Sequence, residues 1–153
     1  MNIAVGDVLP AIELPATGDK SVALNACDER ILVIYFYPKD STPGCTTEGL
    51  DFSALHEAFS QAGARIFGVS KDSMRRHENF KAKQGFPFDL LSDEEETLCQ
   101  AFGVIQEKKL YGKTYLGIVR STFVFVDGKL ARIWDKVKVK GHAQDVLDFV
   151  ESL

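Results

Sequence analysis

The sequence predicts an α/β layered domain, a mixed sheet flanked by helices with a short N-terminal β-hairpin. Three observations carry this prediction. Residues 31–37, Ile-Leu-Val-Ile-Tyr-Phe-Tyr, are apolar without alternation and rich in β-formers, the pattern of a central strand covered by helices on both faces. Helical periodicity then alternates with short apolar runs, which implies parallel crossovers. Asp127-Gly128, between two apolar stretches, marks an antiparallel hairpin near the C-terminus.

In chain order, turn signals at Pro10, Pro15 and Thr17-Gly18-Asp19 separate short apolar stretches that read as small edge strands forming a hairpin. The central strand ends at Pro38. Thr42 takes an N-cap position with Pro43 at the first helical position. Phe52, Leu55, Phe59 and Ala62 then recur at helical spacing, so one helix is expected to run to a stop at Gly63. Residues 66–70 read as a second buried strand and 72–83 as a polar helix whose core contacts are Met74 and Phe80. Leu90-Leu91 makes a short strand. Ser92 and Glu95 form a capping-box pattern ahead of Leu98, Ala101 and Phe102, closed by Gly103. Residues 118–126 and 130–139 are the strands flanking Asp127-Gly128, and a last helix near 143–153 sets Val146, Phe149, Val150 and Leu153 on one face.

Composition narrows the function classes. A chain of 153 residues can bury about 68–70% of its unfolded surface, and without repeats, low-complexity tracts or linkers residues 1–153 read as a single domain. The formal charge of −4 leaves no basic footprint for nucleic acid or anionic lipid. The longest apolar run, residues 31–37, is far too short to span a membrane. Asp7 and Pro10 interrupt any signal-like region, and no basic residue precedes Lys20. The three cysteines, Cys27, Cys45 and Cys99, are odd in number and scattered, which fits a reducing, cytoplasmic compartment better than a disulfide framework. Cysteines and histidines show no metal-ligand spacing, and the glycines mark turns and caps rather than a phosphate loop; neither metal nor cofactor is expected.

The chemistry concentrates in the loop after the central strand, Pro38-Lys39-Asp40-Ser41-Thr42-Pro43-Gly44-Cys45. A cysteine in the first turn of a helix meets unsatisfied N–H groups and the positive end of the macrodipole, both of which favour a thiolate. Gly44, without a Cβ, lets another group approach the backbone closely. Thr42 can aim its hydroxyl at the same turn. The plainer reading, a capping Thr42 and a small buried Cys45, stands beside this one.

Pro38-x-x-x-Thr42-x-x-Cys45 resembles the P-x-x-x-T-x-x-C motif of the peroxiredoxins, and the stretch from Phe36 to Thr46 is similar to their Q-type, or bacterioferritin comigratory protein, subfamily. The resemblance extends through Gly68-Val69-Ser70-Lys71-Asp72, Phe88-Asp89-Leu90-Leu91-Ser92-Asp93, Phe102-Gly103-Val104 and Arg120-Ser121-Thr122-Phe123. It implies a thioredoxin-like fold and a thiol-dependent peroxidase acting on hydrogen peroxide and organic hydroperoxides. Cys45 would be the peroxidatic cysteine, passing through a sulfenic acid. Thr42 would orient the peroxide, and Arg120 would stabilise charge on the sulfur and the leaving oxygen. Pro38 would shield the sulfur, Gly44 would complete the cradle, and Glu48 would pair with Arg120. Read alone, Glu48 is a favourable first-turn acid and Arg120 an edge-strand charge. The subfamily also implies a monomer.

The two resolving positions familiar in this subfamily are filled by Leu50 and Lys81. Cys99 is left as a possible resolving partner, beside the reading that it is a core residue, and Cys27 lies in a polar loop. The expected chemistry is therefore a one-cysteine mechanism that uses thioredoxin, a glutaredoxin or a small thiol as reductant. A dithiol oxidoreductase lacks a local partner because Thr42 stands at the first position of the C-x-x-C outline. A Cys–His hydrolase would need His56, His77 or His142 beside Cys45, and His56 is expected about 16 Å along the same helix. A redox-sensing or chaperone-like protein using oxidation of Cys45 is the non-enzymatic alternative.

Overall fold

A computed structural model describes residues 2–153. Its elements are β1 (Glu13–Ala16), β2 (Lys20–Ala23), β3 (Ile31–Phe36), α1 (Pro43–Ala54), α2 (His56–Gln61), β4 (Ala64–Ser70), α3 (Met74–Gln84), β5 (Asp89–Ser92), α4 (Thr97–Phe102), β6 (Ile105–Leu110), β7 (Lys113–Ile118), β8 (Ser121–Val126), β9 (Lys129–Trp134) and α5 (His142–Glu151). Among the described residues, seven strands form one sheet in the order β2-β1-β5-β4-β3-β8-β9, and β6 and β7 form a separate ribbon. β3 pairs in parallel with β4 and antiparallel with β8, which makes the sheet mixed as the sequence predicts.

The whole of β3 is buried, and this explains its lack of alternation. Leu32, Ile34 and Phe36 point into one core with Leu98, Cys99, Phe102 and Phe123. Ile31, Val33 and Tyr35 point the other way, into a second core with Cys45, Phe52, Phe59, Phe80 and Val146. Helices α1, α2, α3 and α5 thus cover one face of the sheet, while α4 and the N-terminal segment cover the other. No helix among the described residues is long and apolar enough to cross a membrane.

Several expectations are corrected. The helix expected to run from Thr42 to Gly63 breaks at Leu55 (φ −102°, ψ 3°) into α1 and α2. Phe52 and Phe59 remain fully buried across the break, so periodicity could not reveal it. Ser92 and Glu95 do not cap α4. The carboxylate of Asp93 does, accepting from the N–H groups of Leu98 at 3.3 Å and Cys99 at 2.7 Å. In α3 the fully buried residues are His77 and Phe80, with Met74 only partly covered. Leu147 joins the buried face of α5, and Leu153 is 48% exposed. The strand expected over 118–126 is interrupted at Val119 and Arg120, and its partner ends at Trp134 rather than 139. The Asp127-Gly128 turn forms as predicted, both residues having positive φ (50° and 80°). The β6–β7 ribbon was unread because most of it lies off the core, with Tyr111 at its tip 95% exposed.

The edge hairpin is tied to the sheet by charge. Asp89, the first residue of β5, takes Lys20 Nζ and Lys81 Nζ at 2.9 Å each, Thr17 Oγ1 at 3.0 Å and Arg65 Nη2 at 3.5 Å. Burial works to raise the Asp89 carboxyl, but the bonds from Lys20, Lys81 and Thr17 overcome it and hold it down at about 2. A carboxyl lowered by folding stabilises the native state above its unfolded value of 3.8 and loses that contribution as the pH falls towards about 2. Asp89→Asn is therefore expected to lower Tm at pH 7 and to show a shallower further fall between about pH 4 and pH 2 than the parent, read from thermal melts across that range.

Candidate active site

Pro38 interrupts the chain just beyond β3, and five residues later Pro43 opens α1. Thr42 is the N-cap residue, and its carbonyl accepts the first helical bond from Thr46 N–H at 2.9 Å. Its side chain does not cap the helix and is not bonded to Cys45: Oγ1 donates to the Lys39 carbonyl at 2.7 Å, closing the loop on itself. Cys45 lies in the first turn of α1, 2% exposed, at the edge of the helix-covered core.

Arg120 sits in the gap between β7 and β8, its carbonyl accepting from Val137 N–H at 2.9 Å. Its guanidinium forks: Nη2 donates to Cys45 Sγ at 3.4 Å and Nη1 donates to Glu48 Oε1 at 2.7 Å. Gly44 lies beneath this fork, and a Cβ there would stand 3.2 Å from Arg120 Nη2. The group that approaches the Gly44 backbone is thus the arginine. The Glu48 side chain is almost fully buried, and Oε2 has no hydrogen-bond partner among the described residues. Pro38 is half-buried beside a cavity that it lines with Lys39, Lys108, Tyr115, Leu116 and Ile118. Of the residues expected at the site, the structure therefore groups Cys45, Arg120, Glu48 and Gly44 directly, with Thr42 and Pro38 in the adjoining loop.

The remaining thiols lie elsewhere. Cys99 is buried in α4 in the core on the opposite face of the sheet, and Cys27 packs against that same core. Burial, aided by the Asp93 carboxylate, pushes the Cys99 thiol well above its ordinary value. All three cysteines are free. Among the described residues no histidine is bonded to Cys45. His142 Nε2 meets Thr122 Oγ1 at 2.7 Å, and burial pushes its imidazole down to about 4.

Two features escaped sequence reasoning. Lys108, on β6, donates to the Ile118 carbonyl at 3.0 Å; burial and the Arg120 charge push its ammonium below its ordinary value. No periodic pattern marks it, because its ribbon packs little of its length. Asp40, Tyr37 and His77 form a buried hydrogen-bonded group under the loop. Asp40, Asp72 and His77 each bring one possible metal-ligand atom within 4.8 Å of the others, and hydrogen bonds already engage both Asp40 oxygens, Asp72 Oδ2 and both ring nitrogens.

A thioredoxin-like sheet that presents a cysteine at a helix N-terminus to a paired arginine defines the class of thiol-dependent oxidoreductases. Residues 5–133 match the AhpC/TSA family. Peroxiredoxin Bcp of Xanthomonas campestris pv. campestris is 58% identical over 137 residues, covering 89% of this chain and 86% of the relative. Peroxiredoxin Bcp of Bacillus subtilis is 45% identical over 154 residues, covering 100% and 98%. The Xanthomonas campestris Peroxiredoxin Q structure superposes with a TM-score of 0.89 at 55% identity, covering 94% of each chain. The chain belongs to the AhpC/TSA family and is a peroxiredoxin of the Bcp, or Q, type: a thiol-dependent peroxidase.

Burial pushes the Glu48 carboxyl up to about 7 against the pull of the Arg120 charge. A carboxyl raised by folding holds its proton more tightly in the native state, so stability falls as pH rises from about 4.5 through about 7. Glu48→Gln removes that titration. Denaturant midpoints at about pH 5 and pH 8 are expected to shift relative to each other in favour of pH 8, compared with the same pair for the parent.

Proposed function

We propose that Cys45 is the peroxidatic thiol of this enzyme and that it works by a one-cysteine cycle. The observation that carries the reading is the Arg120 fork, one nitrogen on the Cys45 sulfur and the other locked by Glu48. The Cys45 thiolate attacks the terminal oxygen of a hydroperoxide. An S–O bond forms, the O–O bond breaks, and the leaving oxide takes a proton to become water or an alcohol, leaving cysteine sulfenic acid. The fixed guanidinium charge stabilises first the thiolate and then the charge spreading onto the leaving oxygen. Thr42 serves the incoming peroxide once its hydroxyl turns from the Lys39 carbonyl, and Pro38 limits water at the sulfur. Gly44 leaves room for the guanidinium.

Hydrogen peroxide and organic hydroperoxides are the proposed substrates. A Xanthomonas campestris bacterioferritin comigratory protein, 53% identical, has been described in terms of alkyl peroxide reduction. The reductant is an external thiol: thioredoxin, a glutaredoxin or a small thiol. One thiol condenses with the sulfenic acid, releasing water, and a second opens the mixed disulfide. Two structures of the Xanthomonas protein carry single cysteine-to-serine substitutions 36 residues apart (84 − 48), and the residue 36 positions after Cys45 here is Lys81. Leu50 is no thiol either, and Cys27 and Cys99 pack on the far side of the sheet.

Cys45→Ser is expected to abolish peroxide turnover, while Cys27→Ser and Cys99→Ser keep it within about twofold. After one equivalent of peroxide, intact mass is expected to show one added oxygen on the parent. Loss of two hydrogens instead, with a Cys45–Cys99 or Cys45–Cys27 peptide found after digestion, overturns the one-cysteine cycle.

A further inference from the structure

The loop that delivers Cys45 is exposed at Lys39 and Ser41, yet it buries Asp40 between them at 2% exposure. Asp40 Oδ1 accepts from the Tyr37 hydroxyl at 2.6 Å, and its N–H donates to Asp72 Oδ2 at 2.9 Å. Asp40 Oδ2 lies 2.6 Å from Nδ1 of His77, a fully buried residue of α3. His77 Nε2 is 2.9 Å from the Leu91 carbonyl. A carbonyl only accepts, so Nε2 carries a hydrogen. The short Nδ1–Oδ2 contact then requires a second proton, because two bare lone pairs would repel at that distance. Asp40 and His77 therefore share one proton as a unit without net charge. An unpaired buried carboxylate would cost far more, and it would place a negative charge five residues before Cys45.

A second observation concerns the next residue. Ser41 has φ +62°, a left-handed conformation that a non-glycine residue keeps only where its surroundings over-determine it. Asp40 anchors the chain immediately before this turn. The Thr42–Lys39 bond and the start of α1 fix it immediately after. The turn leads into α1, where Gly44 lies under Arg120 and Cys45 Sγ meets the guanidinium.

We propose that Asp40 and His77 are positioning residues for the peroxidase reaction: their buried pair clamps the loop onto α3, holds the strained turn at Ser41, and so aligns Cys45 and Thr42 with Arg120 for attack on the peroxide. Neither residue touches the reacting atoms, and both act through the backbone of the loop. This rests on Cys45 being the reacting thiol.

The two ring nitrogens of His77 can be tested separately. His77→Asn keeps an amide near Nδ1, able to donate to Asp40, and gives up Leu91. His77→Gln keeps an amide near Nε2, able to donate to Leu91, and releases Asp40. Each variant loses one buried hydrogen bond. Oxidation of Cys45 by hydrogen peroxide, followed by mass after rapid quenching, is expected to slow about 10²-fold in His77→Gln, the scale for ångström misplacement of reacting groups, while alkylation of Cys45 by iodoacetamide changes less than about threefold. His77→Asn is expected to rescue peroxide oxidation to within about fivefold of the parent. A parent-like rate in His77→Gln, or equal slowing in both variants, overturns the proposal. So does slowing in which peroxide and iodoacetamide rates fall together. Should a His77 variant fail to fold, Tyr37→Phe decides, since it removes one bond to Asp40: peroxide oxidation about fivefold or more slower supports the clamp, and a parent rate overturns it. A parent protein that oxidises elsewhere than Cys45 in the same series instead refutes the reading on which the clamp rests.

Discussion

A guanidinium taken mostly out of water must be partnered, and at Arg120 that requirement organises the site. One nitrogen is held by Glu48 and the other by the Cys45 sulfur, so a single side chain ties the start of β8 to the first two turns of α1. The fork demands a planar group with donors in fixed directions, which a lysine could not supply. It also demands space, and Gly44 provides it, a Cβ there meeting Nη2 at 3.2 Å. It costs Glu48 a solvated environment: one oxygen is satisfied by Arg120, while the other is buried without a partner among the described residues. Such an orphan acceptor is expensive in a structural ion pair. Burial accordingly pushes the Glu48 carboxyl up to about 7 despite the Arg120 charge beside it.

The sheet supplies the frame on which that fork is built. β3 delivers the loop carrying Cys45, and β8, its antiparallel neighbour, begins one residue after Arg120. Phe36 and Ser121 are paired in register, so the strand ends from which the segments carrying Cys45 and Arg120 leave are adjacent. The distance from guanidinium to sulfur is therefore set by backbone pairing on one side and by the first turn of α1 on the other. The interruption at Val119 and Arg120 matters for the same reason. A strand continuous from 118 to 126 would hold residue 120 within its pleat; in the gap, Arg120 is free of strand pairing and Val137 alone tethers its carbonyl.

Much of this was legible in the sequence, and what was not shares a physical cause. The apolar run of residues 31–37, the Asp127-Gly128 turn and the Pro43 helix start all write their structure locally, in burial, φ preference or a missing N–H. Cys45, Arg120 and Glu48 were found through a motif, although only the fold shows that 75 residues of separation between Cys45 and Arg120 close to a hydrogen bond. The break at Leu55 was hidden because the buried phenylalanines keep their spacing across it. Asp93 outcompeted Ser92 as the α4 cap because its carboxylate reaches two N–H groups, while Ser92 Oγ donates to the Asp72 carbonyl. The β6–β7 ribbon faces little core, so hydrophobic period had nothing to record. Thr42 holds the N-cap position that the sequence suggests, but its hydroxyl donates to the Lys39 carbonyl within its own loop, a local bond that residue type alone does not specify.

Lys81 stands where the subfamily resemblance implies a resolving thiol, and its contacts have consequences for α3. Lys81 Nζ bonds Asp89 at 2.9 Å, linking α3 to β5 at the helix end where a second thiol would have to become mobile. The same helix is capped at its start by Ser73 Oγ accepting from Arg76 N–H and ended by Gly85 in the left-handed region. Phe80 and His77 are fully buried between these ends. Unfolding α3 would expose an aromatic ring and separate buried polar partners. A helix with no thiol to deliver gains nothing from such motion and can serve as a fixed wall. In the proposed cycle the reductant has to reach the sulfur of a residue only 2% exposed. Beside the Cys45 loop, Pro38 and the β6–β7 ribbon, with Leu116 70% exposed, line a shared surface cavity. The surface next to the cysteine loop is thus formed in part by the segment least embedded in the core, while α3 stays fixed beneath it.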